Sequence, residues 1–351
     1  MSPDEFGRRV LEWFDAHGRK QLPWQDNPTP HRVWVSEIML QQTQVATVIL
    51  YYRPFLERFP DIWKLANAKS DEILELWTGL GYYARARHLH RTARILCERH
   101  GGVMPLDLAI LQELPGIGRS TAGAILALSS GQRQPILDGN VKRLLARFRA
   151  VKGWPGQPRV QAVLWEWAER YTPVQRVADY TQAIMDLGAM VCTPRQPHCV
   201  ACPLVSGCAA HAQGREMTYP APKPHRERSV RAIRMLLLRT TVGEVLLEHR
   251  PLIGIWGGLW SFPECPLEVD ITDWCRERLG LTVVVKPSWS MIRHSFSHFQ
   301  LDITPVPALI SGPAHLLMEG ERFVWYNPGH SNKRGVSAPV RRLLAALANE
   351  P

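Results

Sequence analysis

Apolar residues recur three and four positions apart through residues 1–213, and this spacing predicts a series of amphipathic helices. Short turns that contain glycine and proline separate the helices, and little strand-like alternation occurs among them. The predicted helices cover Phe6–His17, Val33–Tyr52, Asp71–Trp77, Ala84–His100, Ser120–Ser129, Val141–Ala150 and Val160–Tyr171. The N-terminal region of the fold is therefore expected to be mainly α.

The pattern changes at a proline-rich segment, residues 214–229, which we interpret as a linker because closely spaced prolines stop helices and favour extended chain. Beyond it, runs of Leu, Val and Ile are typical of strands, and two of these runs flank a predicted hairpin turn at Val242-Gly243. Strands are predicted at Ala232–Thr240, Glu244–Glu248, Leu281–Val285 and Phe299–Ile303, and helices at Asp273–Leu279 and Val340–Ala348. Residues 230–351 are therefore expected to form an α+β domain.

The length of the chain agrees with this division, because 351 residues exceed the usual size of one domain. No run of 18 apolar residues occurs, so we expect no membrane span. The N-terminus lacks the basic-then-apolar layout of a secretory signal, and a cytoplasmic location is expected.

The net charge of +10 suits a polyanionic partner, because Lys and Arg displace counterions from phosphates. Basic residues also concentrate locally, at Gly139–Lys152 and at Arg85–Arg99. Solvated helix faces would show the same pattern, so charge alone leaves nucleic-acid binding open.

The string Leu114-Pro-Gly-Ile-Gly-Arg-Ser-Thr-Ala joins two helical stretches. Gly116 and Gly118 permit a tight turn and expose backbone amides at the start of the helix near Ser120. Amides at a helix start attract anions, and a helix-hairpin-helix of this pattern grips backbone phosphate without reading sequence. A plain turn between helices is the alternative, and the length of the matching string favours DNA binding.

Asp138 precedes a predicted helix and is well placed to cap its N-terminus. Most such aspartates are only caps. Here an apolar run precedes Asp138 and a basic helix face follows it, which indicates a partly buried carboxylate beside cations that suit phosphates. A carboxylate fixed in this way is able to stabilise the cationic sugar that forms when a glycosidic bond breaks.

Glu37 is the one acid in the string Val33-Trp-Val-Ser-Glu-Ile-Met-Leu-Gln-Gln-Thr-Gln. On one continuous helix, Glu37, Gln41 and Gln44 would share a face, which is either a solvated polar stripe or a site that contacts bases. Apolar neighbours surround Glu37, so we expect a raised pKa that keeps the carboxyl protonated as a general acid.

Four of the seven cysteines follow the spacing C-x6-C-x2-C-x5-C, at Cys192, Cys199, Cys202 and Cys208. Four thiolates bind either zinc or a 4Fe-4S iron–sulfur cluster. Zinc sites usually have two close pairs, whereas this sequence has one, which favours the 4Fe-4S cluster. Disulfides are not expected without a secretion signal, and structural roles are expected for Cys97, Cys265 and Cys275.

In this order, the motifs resemble the endonuclease III superfamily of helix-hairpin-helix base-excision glycosylases and, within it, the adenine DNA glycosylases of the MutY type. The resemblance covers nearly the whole chain. It rests on the hairpin, the cysteine spacing and the strings Leu22-Pro-Trp-Gln, Ser36-Glu-Ile-Met-Leu-Gln-Gln-Thr-Gln-Val, Leu76-Trp-Thr-Gly-Leu-Gly-Tyr-Tyr-Ala-Arg-Ala-Arg, Pro135-Ile-Leu-Asp-Gly-Asn-Val-Lys-Arg and Arg293-His-Ser-Phe-Ser-His-Phe.

The resemblance implies a six-helix barrel and an iron–sulfur module within residues 1–213, with the cluster loop at 192–208 and the active site in the cleft between them. It implies that residues 230–351 form a Nudix-like domain that recognises 8-oxoguanine. The implied function is base-excision repair: flipping and hydrolytic removal of adenine opposite 8-oxoguanine or guanine in double-stranded DNA, leaving an abasic site. The implied protein is a monomer in the bacterial cytoplasm, associated with the nucleoid.

The resemblance also implies roles for individual residues. Glu37 would protonate adenine, and Asp138, with Asn140 beside it, would stabilise the oxocarbenium-like sugar until water attacks. The adenine pocket would be lined by Trp24, Gln25, Leu40 and Gln182. The remaining DNA contacts would come from Gln41, Gly116, Gly118, Ser120, Lys142 and Arg143, and from Gln42 and Tyr82, which would enter the base stack around 8-oxoguanine.

Ser120 stands where bifunctional members of the superfamily carry a lysine nucleophile. Without that amine no Schiff base is expected at this position, so the expected reaction is base removal without strand cleavage. A pyrimidine-directed glycosylase/lyase is the nearest alternative, and Ser120 and the second domain argue against it. A DNA-binding redox sensor without enzymatic activity is another, and Glu37 and Asp138 argue against that.

The C-terminal region has only part of the Nudix hydrolase motif. Gly258 and Glu264 have the right spacing, but Arg276-Glu277 is followed by Arg278-Leu279 in place of metal-binding acids. A Nudix nucleotide hydrolase is therefore disfavoured. A loop of this kind is more often structural, but the family analogy assigns contact with 8-oxoguanine to Phe296, Ser297 and His298.

Overall fold

The computed structural model describes residues 1–224, 227–311, 320, 322–329 and 334–349. His225 and Arg226 of the predicted linker lie outside this range, as do residues 312–319, 321, 330–333 and 350–351 of the predicted C-terminal domain. The chain forms two compact units. The first consists of Met1–Asn67 and His88–His225, and the second of Ala68–Arg87 and Arg226–Pro351.

Apart from Val33–Tyr52, the predicted helices are present, with ends that shift by a few residues. In chain order, the α-helices of the described residues are α1 (Pro3–His17), α2 (Pro30–Leu40), α3 (Val45–Arg58), α4 (Ile62–Ala66), α5 (Ser70–Leu76), α6 (Ala84–His100), α7 (Leu108–Glu113), α8 (Arg119–Ser130), α9 (Gly139–Phe148), α10 (Pro158–Tyr171), α11 (Val177–Met190), α12 (Ala209–Ala212), α13 (Ile271–Leu279) and α14 (Ala338–Ala348). Short 3-10 turns lie at Pro23–Gln25, Cys199–Ala201, Val205–Gly207 and Glu216–Thr218. Within the described ranges, none of the helices has the length and apolar character needed to cross a membrane.

The predicted single helix Val33–Tyr52 is wrong, because the structure divides it into α2 and α3. Gln41 leaves the helical conformation, and Gln42 has a φ of +57°, a left-handed value that an α-helix cannot contain. A tertiary contact of the Gln41 side chain, described below, stabilises the break. Glu37, Gln41 and Gln44 therefore do not share a helical face, and Gln44 lies at the N-cap of α3.

The core of the first unit includes α1, α9, α10 and α11. Phe6 of α1 stacks on Tyr171 of α10 with ring centroids 4.2 Å apart. The apolar pattern does not predict α11, because the polar residues Gln182 and Asp186 are buried on this helix beside Ile184. Helix α11 therefore brings polar side chains into the interior of the helical unit.

The described C-terminal residues form an eight-stranded mixed sheet with strands β1 (Ser229–Arg239), β2 (Val245–His249), β3 (Trp260–Ser261), β4 (Glu264–Cys265), β5 (Val283–Val285), β6 (Ile292–Ser295), β7 (Phe299–Ile310) and β8 (Phe323–Tyr326). The order is β3-β2-β1-β7-β5, and β4, β6 and β8 pair with β1, β7 and β2 respectively. β1 and β2 are antiparallel, which confirms the predicted hairpin, whereas β1 and β7 are parallel.

One face of this sheet packs on α13, where Cys275 and Leu279 join Leu236 and Leu238 of β1 in a buried cluster. The sequence pattern misses β3, β4, β6 and β8, because strands of two to four residues are too short to show alternation. The expected fold class, a mainly helical N-terminal region followed by an α+β region, is confirmed.

Residues 68–87 pack with the C-terminal residues in the second unit, which the sequence pattern does not predict. Leu74 of α5 lies so close to Gly335 that a Cβ added to Gly335 would be 2.6 Å from the Leu74 Cβ. The Tyr83 hydroxyl donates a hydrogen bond to the Val336 carbonyl at 3.0 Å. A short piece of the predicted helical region thus completes the α+β unit.

Candidate active site

Glu37 lies on α2 among side chains that are almost fully buried, and is itself partly buried. Burial, with the nearby negative charge of Asp138 as a second cause, raises the pKa of Glu37 to about 8. The carboxyl is therefore protonated at neutral pH. Two acids that belong to separate sequence motifs thus lie close enough to interact.

Asp138 is the N-cap of α9, where its Oδ1 accepts a hydrogen bond from the Val141 backbone amide at 2.8 Å. Its Oδ2 accepts one from the Asn140 side-chain amide at 3.4 Å. Burial raises the pKa of Asp138, and the hydrogen bond from Val141 and the positive charge of Arg143 oppose that rise. The carboxyl group is thus held in one orientation at a helix N-terminus, which favours its anionic form.

Ser120, in the first turn of α8, holds the chain immediately before Asp138. Its Oγ accepts a hydrogen bond from the Leu137 amide at 2.9 Å. The hairpin and the segment that carries Asp138 are therefore joined directly.

The predicted hairpin connects α7 and α8. Gly116 has a φ of +83°, and a Cβ at this position would lie 2.9 Å from the Cβ of His88, so the turn requires glycine. Gly118 is the N-cap of α8, and a Cβ there would meet open space. The first amides of an α-helix lack partners within the helix, so this open end is able to bind a phosphate.

Three residues predicted to contact DNA, Gln41, Gln42 and Tyr82, lie between helices rather than within them. The Gln41 side-chain amide donates to the Gly116 carbonyl and the Thr121 hydroxyl, each at 3.3 Å, and ties the end of α2 to the hairpin. Gln42, in the first unit, is exposed and left-handed. Tyr82, in the second unit, is 52% exposed and has a φ of +49°. Left-handed non-glycine residues are uncommon and cluster at functional turns.

Trp24, Gln25 and Leu40, predicted to line an adenine pocket, lie around α2 and the 3-10 turn before it. Trp24 is buried, and its ring lies edge-on to Tyr52 with centroids 5.6 Å apart. Leu40 is the last residue of α2. The side-chain amide of Gln25 closes its own turn, because it accepts from the Leu22 amide and donates to a backbone carbonyl.

The fourth pocket residue, Gln182, is held by an ion pair that the sequence analysis missed. Asp186 is fully buried and accepts hydrogen bonds from the guanidinium and the backbone amide of Arg19 at 2.5 to 2.9 Å. The Gln182 amide donates to the same carboxylate at 2.7 Å. A lone acid in the apolar run Ala183-Ile-Met-Asp-Leu is the sequence signal that indicates a buried pair.

Arg143, predicted as a DNA contact, has partners inside the first unit. Its guanidinium donates to the Asn140 Oδ1 at 2.9 Å, to the Gly188 carbonyl at 2.6 Å and to the Cys192 carbonyl at 2.7 Å. It therefore connects the region around Asp138 with the start of the cysteine loop. The neighbouring Lys142 is half-buried.

The four predicted metal ligands, Cys192, Cys199, Cys202 and Cys208, line one small cavity beside α9. Burial first, and then the charges of the other three cysteines, raise the pKa of Cys202 to about 12. Neighbouring thiols of this kind ionise when bound metal ions supply positive charge, so the donor set fits a metal cluster. The donor atoms of Cys199, His211 and Glu216 also lie within 4.8 Å of one another, an arrangement that suits a single metal ion.

Arg147, which the sequence analysis missed, organises the cysteine cavity from the buried face of α9. Its partners in the described part of the chain are the Cys192 Sγ, at 3.4 Å, and five backbone carbonyls. These carbonyls belong to Cys192, Thr193, Pro194, Glu216 and Tyr219. Arg147 thus joins the chain at the start of the cysteine loop to the chain that follows it.

Phe296, Ser297 and His298 form the tip of the hairpin between β6 and β7. The Phe296 amide donates to the Phe299 carbonyl at 2.9 Å, and the two rings stack with centroids 4.5 Å apart. Ser297 and His298 are exposed. The tip therefore presents two polar side chains on an aromatic base.

The fold and the hairpin define a class of base-excision DNA repair glycosylases. Residues 35–170 match the family model of the HhH-GPD superfamily base excision DNA repair protein, and residues 234–346 match that of the NUDIX domain. The structure of a thermostable thymine-DNA glycosylase is similar, with a TM-score of 0.55 and 25% identity over 60% of this chain and 97% of that one.

Relatives along the whole chain specify the family. The adenine DNA glycosylase of Buchnera aphidicola subsp. Schizaphis graminum is 36% identical over 97% of both chains. That of Rattus norvegicus is 34% identical over 97% of this chain and 77% of its own. The chain therefore belongs to the adenine DNA glycosylase family of base-excision repair hydrolases, which confirms the resemblance found in the sequence.

Proposed function

We propose that this protein hydrolyses the N-glycosidic bond of adenine paired with 8-oxoguanine or guanine in double-stranded DNA and leaves an abasic site. Family membership supports the base and the reaction type. The observation that carries the proposal is the interaction between Glu37 and Asp138. The negative charge of Asp138 is one of the causes that raise the pKa of Glu37 to about 8, and the Val141 hydrogen bond and the Arg143 charge favour the anion of Asp138 against its burial. We assign the proton donor to Glu37 and the anion to Asp138.

Glu37 supplies the proton that makes adenine a good leaving group. The base must leave the stack before any side chain reaches it. The Glu37 proton moves to a ring nitrogen of adenine as the bond between the base and C1′ breaks, so that neutral adenine departs. General acids of this kind accelerate reactions by about 100- to 10,000-fold.

Asp138 stabilises the oxocarbenium-like sugar that remains. Its orientation is set by the hydrogen bonds from Val141 and Asn140, so the carboxylate does not need to reorganise during the reaction. The oxygen of a water molecule then bonds to C1′, and the proton that this water loses restores the acid form of Glu37.

The reaction is base removal without strand cleavage. Ser120 has no amine to attack the sugar, and its hydroxyl binds the Leu137 amide. Lys142, four residues after Asp138, is the amine that accounts for incidental covalent trapping. Stoichiometric trapping of the protein on DNA by borohydride would contradict this part of the proposal.

DNA is bound through backbone amides and by residues at left-handed turns. The amides at Gly116 and Gly118 bind a backbone phosphate, and Gln42 and Tyr82 enter the base stack from their exposed positions. Additional DNA contacts come from Gln41, Ser120, Lys142 and Arg143, and the adenine pocket is lined by Trp24, Gln25, Leu40 and Gln182.

The C-terminal domain, residues 230–351, distinguishes the base opposite adenine through the hairpin tip of Phe296, Ser297 and His298. The exposed hydroxyl and imidazole suit hydrogen bonding to 8-oxoguanine. Glu264, retained from the Nudix pattern, forms an ion pair with Arg250. Replacing Ser297 and His298 by alanine should lower the preference for adenine opposite 8-oxoguanine and leave release opposite guanine nearly unchanged. A preference for adenine opposite 8-oxoguanine equal to that of the wild type would contradict this assignment.

The cofactor proposed is a 4Fe-4S cluster held by Cys192, Cys199, Cys202 and Cys208. When bound, it supplies the positive charge that ionises the four thiols and closes the loop at 192–208. Analysis of the purified protein for iron and acid-labile sulfide tests the cluster, and zinc without sulfide would favour the alternative metal.

The reaction is tested by single-turnover release of adenine from a duplex with one adenine opposite 8-oxoguanine. The wild type should release adenine, whereas Glu37→Gln and Asp138→Asn should each lose about 100-fold or more. Glu166→Gln, on the exposed face of α10, is a matched control that should retain full activity. Release that survives Glu37→Gln would place the acid elsewhere, and no release by cluster-loaded wild type would overturn the proposed substrate.

A further inference from the structure

We infer that the C-terminal residues of the second unit position the turn that carries Tyr82, through a latch formed by Asp71, Trp260 and Arg334. The inference rests on the proposed function, in which Tyr82 enters the base stack and the tip at 296–298 contacts 8-oxoguanine. Both elements belong to the same compact unit, although Tyr82 lies far from the tip in sequence.

The latch is a three-residue contact around one carboxylate. The Trp260 Nε1 donates to Asp71 at 3.2 Å from Oδ1 and 3.3 Å from Oδ2, and the Arg334 Nη1 lies 3.0 Å from Oδ2. The Arg334 guanidinium also lies over the Trp260 ring, 4.7 Å from its centroid. Because Trp260 is 3% exposed and fixed in β3, it is a rigid partner for the Asp71 side chain.

The chain is held again immediately after Tyr82. The buried Tyr83 hydroxyl donates to the Val336 carbonyl at 3.0 Å, and the Arg87 Nη1 donates to the Gly257 carbonyl at 2.6 Å. The turn that carries Tyr82 is therefore anchored on both sides. The partners are Trp260 and Arg334 before the turn, and Val336 and Gly257 after it.

Contacts within the turn fix its shape. The Trp77 Nε1 donates to the Gly81 carbonyl at 3.1 Å, and the Arg85 Nη2 donates to the same oxygen at 3.2 Å. The Arg85 guanidinium lies 5.5 Å from the centroids of both the Trp77 and Tyr82 rings. An ordered turn of this kind presents Tyr82 in a conformation that needs little ordering when DNA binds.

A chain of packed groups leads from the turn to the recognition tip. Gly257, the partner of Arg87, follows Trp256, whose ring lies 5.6 Å from that of Phe296 and 5.5 Å from that of His294. Chains of packed side chains and hydrogen bonds are able to carry energetic coupling between two sites, and a double-mutant cycle measures it. Insertion of Tyr82 and engagement of the tip are therefore coupled, and the latch contributes to discrimination between 8-oxoguanine and guanine.

A double-mutant cycle between Asp71→Ala and Tyr82→Ala tests the coupling in the full-length protein. The measured quantity is the Kd for duplexes that hold a tetrahydrofuran abasic analogue opposite 8-oxoguanine or guanine, which needs no turnover. The quantity compared is the Kd for the guanine duplex divided by the Kd for the 8-oxoguanine duplex. Each single variant should reduce this ratio by about five- to tenfold, and the ratio of the double variant should be no lower than that of Tyr82→Ala alone. Additive losses would overturn the inference.

The matched control is Glu248→Ala, because Glu248 forms an ion pair with Arg322 in the same unit and its side chain is 27% exposed against 28% for Asp71. It should retain the wild-type ratio, and equal behaviour of Asp71→Ala and Glu248→Ala would overturn the inference. Asp71→Asn keeps the shape of the side chain and loses the charge that pairs with Arg334, so it provides the same test if the alanine variant does not fold.

Hydrogen exchange of the free protein separates failure of the inference from failure of the proposed function. In Asp71→Ala the amides of residues 78–83 should exchange faster, with protection of β1 and β7 unchanged. Unchanged exchange in residues 78–83 would overturn the latch itself. A wild-type protein without preference for 8-oxoguanine would refute the proposed specificity, and the exchange result would still decide whether the latch holds the turn.

Discussion

Glu37 and Asp138 show how burial and neighbouring charges shift the pKa values of two carboxylic acids. Burial keeps the proton on Glu37, and the charge of Asp138 adds to that effect. The apolar neighbours of Glu37 were sufficient to predict the direction of its pKa shift from sequence. The contribution of Asp138 was not predictable in this way, because it depends on a tertiary contact between residues of two distant motifs.

The rate of adenine release should therefore depend on pH through Glu37. In the proposed mechanism Glu37 acts in its protonated form and Asp138 as the anion, so the single-turnover rate should fall as the pH rises through about 8 and should also fall at low pH once Asp138 is protonated. A pH–rate profile measured on duplex with adenine opposite 8-oxoguanine tests this. A fall that begins near the ordinary glutamate value of about 4.3 would contradict a buried, protonated acid.

The raised pKa of Glu37 also lowers the free energy of unfolding at high pH. The folded pKa of Glu37 is raised above its unfolded value, so the stabilisation linked to its proton is complete below the unfolded pKa and is lost as the pH rises towards about 8. Glu37→Gln should therefore increase the free energy of unfolding by roughly 1–3 kcal/mol at pH 8 and change it little at pH 4. Urea unfolding at the two pH values measures the difference, and an equal effect at both would show that charge is not the cause.

Ser120 acts on the orientation of Asp138 through the Leu137 amide. Ser120→Ala leaves that amide without its acceptor, so we expect a loss of about 1 kcal/mol in stability and a several-fold lower single-turnover rate. Ser129→Ala is the matched control, because Ser129 lies on the same helix and its hydroxyl donates to the Ile125 carbonyl within α8. Equal rates in the two variants would show that the contact has no catalytic effect.

Among the elements, α9 connects the two chemical sites of the first unit. It begins at the capping Asp138, carries Arg143 at its middle and ends near Arg147 beside the cysteine cavity. The sequence predicted the helix and its cap, since both depend on local pattern. The sequence did not predict the role of Arg147, because its hydrogen-bond partners come from chain segments that only the fold brings together. It also did not predict the break between α2 and α3, which a tertiary contact of Gln41 stabilises.

Replacing Arg147 by methionine should loosen the cysteine loop, because five backbone carbonyls lose a shared donor. We expect a lower iron and sulfide content per chain and a decrease in stability of about 3 kcal/mol or more. Arg149→Met removes a nearby exposed arginine that lies over the Trp167 ring, and it should keep the wild-type content. Equal iron retention in both variants would refute the role of Arg147.

The whole molecule has a boundary that its sequence did not reveal. The change from helical to strand pattern predicted where the C-terminal region begins, but α5 has the same amphipathic pattern whichever surface it covers. Its assignment to the second unit depends on partners around Trp260 and Gly335, which are supplied from much later in the chain. Topology of this kind is visible only when the chain is folded.

A chain that ends after residue 224 should show the consequence directly. Leu74 and Tyr83 would lose the surface that buries them, so we expect increased binding of a hydrophobic dye and a lower thermal midpoint for the remaining helices. Adding residues 227–349 as a separate polypeptide should reduce the dye binding if the interface re-forms. Dye binding equal to that of the full-length protein would contradict the assignment of residues 68–87.

The discontinuous second unit also sets an order of events during translation. Tyr82 leaves the ribosome well before Trp260 and Arg334 are synthesised, so residues 68–87 remain without these partners until the C-terminal residues have been made. A nascent chain that ends before Trp260 already contains Glu37, Asp138 and the hairpin. The turn that carries Tyr82 still lacks the contacts of the latch. The contacts that anchor the turn are therefore completed only late in synthesis, and a product of premature termination would contain Glu37 and Asp138 without the latch.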